Sequence, residues 1–198
     1  MAFIFEDHIE RVLWTDQQIS DRVSQLASEI TLDFNVNGAT AVAALPSSAP
    51  VVVGVATGAF LFLADLVRKI NLPITVDVIR VESYGSGTVS SGKPKISCHL
   101  KIDVRGKHVI LVEDIVDTGN TLCRLIEHLK SKGASSISVC ALLDKPSRRK
   151  VNFELVGDGK FYRGFECPDY FVVGYGLDFA ELYRNLPYVG VLKPEMYK

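Results

Sequence analysis

A chain of 198 residues has the length of one substantial domain, enough for folding to bury roughly 70% of the surface an unfolded chain exposes without help from disulfides or metal. Hydrophobic residues make up 47% and charged residues 23%, a balance that excludes a disordered tail or scaffold. With 22 basic and 23 acidic side chains the formal charge is −1, so no global positive field holds a nucleic acid, and any phosphate binding must come from a local site.

The segment Met1 to His8 lacks a basic stretch followed by a long apolar run, so neither a signal peptide nor a transit peptide is expected. Ile19, Val23, Leu26 and Ile30 form one apolar stripe that predicts a helix over 16–30, with Thr15 and Gln18 as a capping box at its start. Residues 31–50 are rich in small and turn-forming types and read as a long surface connection. Val51 to Ala64 is the one stretch to test as a membrane span. Its 14 residues fall short of the roughly 20 a bilayer core requires, and a strand over 51–56, a Thr57-Gly58 turn and a helix to about Ile70 explain it better. Further strands are expected over 74–81, 109–112, 137–143, 171–175 and 189–192. A helix with Leu122, Leu125, Ile126 and Leu129 on its inner face is closed by Gly133. Apolar strands alternating with helices predict an α/β fold with a central parallel sheet covered on both faces. No repeat or second domain is evident. Cys98, Cys123, Cys140 and Cys167 lack the close spacing of metal or redox motifs, and reduced thiols in a cytoplasmic protein are expected.

The chemistry concentrates in one run. The apolar strand from Val109 ends in Glu113 and Asp114, and Asp117, Thr118, Gly119, Asn120 and Thr121 then open a helix. In parallel sheets ligands bind outside the carboxyl ends of the strands. The free N–H groups of a helix's first turn, with the Thr118 and Thr121 hydroxyls, suit a phosphate monoester, and Gly119 lets it approach the backbone. Carboxylates beside an anion need another purpose: they accept from ribose hydroxyls or hold a divalent cation. Because neighbouring strand residues point to opposite faces, Glu113 and Asp114 are expected to differ in role. Neither a Walker A loop nor a dinucleotide-binding glycine motif is present.

The run from Val112 to Thr121 resembles the phosphoribosyl-diphosphate signature of the type I phosphoribosyltransferases. Arg11 to Leu13, Ser83 to Thr88, Leu142 to Lys145, Phe171 to Asp178 and Val189 to Pro194 resemble its hypoxanthine(-guanine) branch, so the likeness covers nearly the whole chain. It implies a single domain over 1–198, with helices flanking a twisted parallel sheet, a small hood formed from the chain ends, and a flexible catalytic lid at 85–97.

By that resemblance Thr118, Gly119, Asn120 and Thr121 hold the 5′-phosphate in a loop that includes Asp117, while Glu113 and Asp114 face the ribose hydroxyls and Mg2+. Asp117 is the general base, where a proton leaves the purine as it attacks C1′. Lys145 donates to the 6-oxo group; an ammonium has donors and no acceptor, which favours hypoxanthine and guanine over adenine. Phe171 stacks on the base and Val172 contacts its edge. Asp178 and Arg184 hold a second magnesium, through water, and the diphosphate, with Asp178 also at the purine. The Thr57-Gly58 turn is the diphosphate loop, where many members have Lys-Gly, so this chain keeps the main-chain donors and has one charge fewer. Ser83 and Tyr84 also bind the diphosphate and begin the lid that shields the site from water.

The expected activity is Mg2+-dependent transfer of 5-phosphoribosyl from 5-phosphoribosyl 1-diphosphate to a 6-oxopurine, a purine salvage reaction, in a homodimer or homotetramer without nucleic-acid or membrane partners. Two other readings compete: a regulator of the same fold that senses the diphosphate and binds RNA, and an enzyme that prefers xanthine. The first needs a basic face, and the only dense basic cluster is 145–150, whose first lysine is already assigned to the purine.

Overall fold

A computed structural model describes residues 5–34, 49–81 and 100–197. The uninterrupted apolar runs become strands of a five-stranded sheet in the order β3-β2-β4-β5-β6, with every pairing parallel: β2 (Val51–Ala56), β3 (Thr75–Arg80), β4 (His108–Val116), β5 (Ser136–Asp144) and β6 (Phe161–Glu166). Every residue of β5 is buried, as expected of a central strand covered on both faces. One face packs Val52, Ile110, Val112 and Leu142 against α1 (Asp16–Phe34) and α2 (Phe60–Val67). The other packs Val53, Leu111 and Val139 against Leu122, Leu125 and Leu129 of α3 (Asn120–Ser131).

Local signals set the helix ends. Thr15 and Gln18 form the reciprocal cap, the Thr15 N–H donating to the Gln18 amide oxygen at 2.9 Å and the Gln18 N–H to the Thr15 hydroxyl at 3.3 Å. After α3, Gly133 turns left-handed at φ 86°, its N–H donating to the Lys130 carbonyl and that of Ala134 to the Leu129 carbonyl, which makes a Schellman ending. Helix α1 runs four residues past the expected end, to Phe34, whose ring packs edge-on against His108 at 4.5 Å. Helix α2 stops at Val67, short of Ile70.

Two strand expectations are corrected. Residues around 171–175 and 189–192 do not join the parallel sheet. β7 (Val172–Val173) and β8 (Val189–Leu192) form a separate antiparallel sheet with β1 (Ile9–Trp14), in the order β1-β8-β7. This small sheet is built from the two ends of the chain, as the hood was expected to be. Strand β4 also continues past the two carboxylates to Val116. Ile115 joins the same core face as Ile110 and Val112, and Val116 the same face as Leu111, so the strand's alternation slips by one residue at the carboxylates.

The order of the strands locates the functional end. From β2 the chain winds outward to β3, returns to place β4 on the other side of β2, and continues to β5 and β6. The direction of winding reverses between β2 and β4, and the crevice beyond their carboxyl ends is where ligands of open α/β sheets bind. No helix among the described residues is long and apolar enough to cross a membrane.

Candidate active site

Three strand ends meet at that crevice. Strand β2 delivers the Thr57-Gly58 turn, β4 delivers Glu113 and Asp114, and β5 delivers Asp144 and Lys145. A Cβ on Gly58 would collide with the Asp114 carboxylate, and a Cβ on Gly176 with the Gly58 carbonyl. The turn after β2 is thus held between the β4 carboxylate and the segment that follows β7, a fit that only glycine allows. The Ala56–Thr57 peptide is cis.

Next to this contact lies a cavity of about 510 Å³, within the usual range for small-molecule sites. Asp114, Asp117, Lys145, Phe171, Val172 and Asp178 all line it. Thus six side chains singled out in the sequence, spread over more than sixty positions, come together around one space. Arg184 joins them from the side, its guanidinium 2.9 Å from the Asp178 carboxylate and donating to the Gly176 carbonyl at 2.7 Å.

The two adjacent carboxylates part company. Asp114 lines the cavity, whereas Glu113 is 7% exposed, is not among the lining residues, and leaves Oε2 without a hydrogen-bond partner. Burial raises the Glu113 carboxyl well above its ordinary range, and the neighbouring Asp114 charge adds to the effect. Burial likewise pushes Asp114 up to about 6, against the pull of the Ile115 N–H, which donates to it at 2.9 Å, and of Arg184. Two acids packed this way favour a bound cation or hydrogen-bond donors.

Beyond β4, Asp117 and Thr118 lead to Gly119, which takes φ 88° immediately before the first turn of α3. The Thr118 hydroxyl accepts from the Asn120 N–H at 3.5 Å. Thr118 to Thr121 therefore stand where the sequence puts the anion cradle, at the amino end of a twelve-residue helix. The Asp117 carboxylate pairs with Arg148 Nε at 3.2 Å.

Lys145 is no ordinary surface lysine. It is 8% exposed, and its Nζ donates to the Tyr170 carbonyl at 2.6 Å, leaving further N–H donors on a side chain that lines the cavity. Phe171 is 39% exposed, with its ring stacked on Tyr197 and edge-on to Phe179.

Several lining residues escaped the sequence reading: Ile115, Arg148, Asp169, Tyr170, Leu177 and Tyr197. Arg148 sits in the basic cluster after Lys145, and Tyr170 immediately precedes Phe171, so proximity to assigned residues was the available signal. Tyr197 gives no such signal; the pairing of β8 with β7 brings the chain end there. Ser83, Tyr84 and the 85–97 lid lie outside the described residues.

The family model of the phosphoribosyl transferase domain matches residues 15–180. The chain belongs to the phosphoribosyltransferase family. It is 43% identical over 190 residues to the hypoxanthine-guanine phosphoribosyltransferase of Bacillus subtilis, covering 96% of this chain and 97% of that one. It is 42% identical over 183 residues to the hypoxanthine phosphoribosyltransferase of Salmonella typhimurium, covering 92% and 95%. Among solved structures, a hypoxanthine phosphoribosyltransferase from Staphylococcus aureus superposes with a TM-score of 0.84 at 37% identity, covering 100% of this phosphoribosyltransferase and 99% of the other.

Proposed function

We propose that this phosphoribosyltransferase moves the 5-phosphoribosyl group from 5-phosphoribosyl 1-diphosphate to hypoxanthine or guanine, giving the nucleotide and diphosphate in purine salvage. The observation that carries this reading is the shared cavity: a buried lysine ammonium, an aromatic face and four aspartates line one space beside the start of helix α3. The names of the 39–43% identical relatives agree with it.

In this reading Thr118, Gly119, Asn120 and Thr121 receive the 5′-phosphate, and Thr57, Gly58 and Arg184 receive the diphosphate. Lys145 donates to the 6-oxo group, Phe171 and Val172 flank the base, and Asp178 contributes at its rim. A purine ring nitrogen bonds to C1′ as the C1′–O bond to diphosphate breaks, and the proton on the imidazole ring passes to Asp117. The Asp117 carboxylate also steadies the positive charge that develops on the sugar.

Mg2+ is the proposed cofactor. The oxygen donors fit it: the half-buried Asp114 carboxylate, its pKa raised, and the Asp178 carboxylate both line the cavity, with Glu113 buried beside Asp114 and one of its oxygens orphaned. No cluster of three or more potential ligands occurs among the described residues; Mg2+ typically binds one or two carboxylates and completes its shell with phosphate oxygens and water. When bound, Mg2+ would neutralise diphosphate charge; Asp114 would hold it on the ribose side and Asp178 on the diphosphate side, whereas Glu113, expected from the resemblance to share this role, does not line the cavity.

The proposed partner is a second copy of the chain. Helix α2 and strand β3 leave Phe60, Val76 and Val78 exposed around a groove of about 330 Å³ whose lining contains no charged residue. Three described cysteines are free, two of them buried, which agrees with a cytoplasmic location.

The test is nucleotide formation with Mg2+, 5-phosphoribosyl 1-diphosphate and, separately, hypoxanthine, guanine, xanthine and adenine. Product with the first two and not with adenine is expected. Product with xanthine alone supports the xanthine alternative, and no product with any base supports a sensing role.

A further inference from the structure

The backbone of the anion loop is held from behind by a strap, residues 149–151, that no motif announces. The Arg149 Nε donates to the Asp117 carbonyl at 3.2 Å, and the Lys150 and Val151 N–H groups both donate to the Thr118 carbonyl at 3.0 Å. Gly119 packs so closely beneath the Val151 carbonyl that a Cβ there would overlap it. The strap is anchored in turn. Arg149 pairs with Asp144, a carboxylate only 2% exposed at the end of β5, whose other oxygen takes Arg163 Nε at 3.0 Å. The Arg149 guanidinium also lies over the Phe153 ring, 5.2 Å from its centre.

Peptide geometry gives these bonds a direction. In a planar trans peptide the C=O and the N–H point opposite ways. Drawing the Asp117 and Thr118 carbonyls into the strap therefore turns the N–H groups of Thr118 and Gly119 to the opposite, open side of the loop. Neither N–H donates to another group among the described residues. A peptide flipped the other way would aim a carbonyl oxygen at the same space and repel an anion.

We propose that Arg149, clamped by Asp144, is a positioning residue that fixes the peptide planes of 117–119 so that their N–H groups face the 5′-phosphate. It touches neither base nor sugar; it acts through the loop. The proposal rests on the reading of this loop as the phosphate site, and it deepens that reading by naming what holds the loop in its binding form.

The test compares affinity for inosine 5′-monophosphate with affinity for inosine, two ligands that differ only in the phosphate. In the full-length chain, Arg149→Met is expected to weaken the monophosphate about tenfold, the worth of one charge-assisted hydrogen bond. It should raise KM for 5-phosphoribosyl 1-diphosphate in parallel and leave inosine affinity and the KM for hypoxanthine within twofold. Arg149→Lys, which keeps a buried charge opposite Asp144 and so preserves folding, should show a smaller loss in the same direction. An equal loss for inosine and its monophosphate, or an unchanged ratio in both variants, overturns the role of Arg149. A wild-type protein that does not prefer the monophosphate overturns the phosphate reading of the loop and the proposal with it.

Discussion

The ring of Tyr197 lies nearly parallel to that of Phe171, at 19° and 4.6 Å between centres. A residue next to the end of the chain thereby backs the aromatic face assigned to the purine, and both rings line the cavity. An aromatic pair of this kind contributes about 0.5–1.5 kcal/mol beyond the area it buries. Tyr197→Ala is expected to raise KM for hypoxanthine about three- to tenfold while leaving KM for 5-phosphoribosyl 1-diphosphate unchanged. Steady-state kinetics with each substrate varied in turn would show it, and an equal rise in both constants would contradict it.

Gly58 offers a sharper case. Its missing side chain is the space into which the Asp114 carboxylate fits. Gly58→Ala must push apart the diphosphate turn and the acid proposed to hold ribose and metal. A loss of about a hundredfold in kcat/KM for 5-phosphoribosyl 1-diphosphate is expected, the scale of a misplaced catalytic contact. The thermal midpoint, measured alongside, separates this from unfolding.

Asp117→Asn keeps the shape of the loop and removes the proton acceptor. Turnover should fall by about two to four orders of magnitude, with inosine 5′-monophosphate still bound. Because Arg148 pairs with this carboxylate at 3.2 Å and with Asp169 at 3.7 Å, the substitution also leaves Arg148 with Asp169 as its remaining partner. Unchanged turnover would remove Asp117 from the chemistry.

A pH effect on stability should come from the opposite end of the sheet. His108 bonds through Nε2 to the Ser138 hydroxyl at 2.9 Å and through Nδ1 to Ser136. Burial lowers its pKa from 6.5, with a smaller opposing pull from Asp158. A base with a lower pKa in the folded state binds fewer protons there than when unfolded. Its contribution is therefore complete above pH 6.5 and is lost progressively as pH falls below that value. Thermal midpoints measured from pH 7.5 to 5 should drop more steeply for the wild type than for His108→Gln, whose amide does not titrate.

Much of this architecture is legible in the residues, because some signals are local. The run from Val109 to Thr121 carries strand, turn and helix start in sequence order, and Thr15 with Gln18 marks a helix end through bonds three residues apart. Other features depend on partners that sequence does not reveal. Strand β6 has a single buried residue, Tyr162, and shows no continuous apolar run; it is a strand because the edge of β5 is there to pair with it. The short apolar segments at 172–173 and 189–192 look like members of the parallel sheet, and only their pairing with residues 9–14 shows otherwise. The cluster from Lys145 to Lys150 has the composition of a solvated surface, yet the fold buries Lys145 under Tyr170 and clamps Arg149 to Asp144.

The antiparallel sheet of the chain ends has a consequence for the order of assembly. Ile9 pairs with Leu192, whereas the five parallel strands lie within residues 51–166. During synthesis the phosphate loop and both of its neighbouring strands can form while the last thirty or so residues are still within the ribosome. Strand β1 must wait for β8, closing a loop nearly as long as the chain, and that closure carries a conformational entropy cost that local pairing avoids. Phe171, Val172 and Tyr197 reach the cavity only through this late sheet. A nascent chain of this enzyme therefore acquires its 5′-phosphate loop first and the aromatic wall of its purine site last.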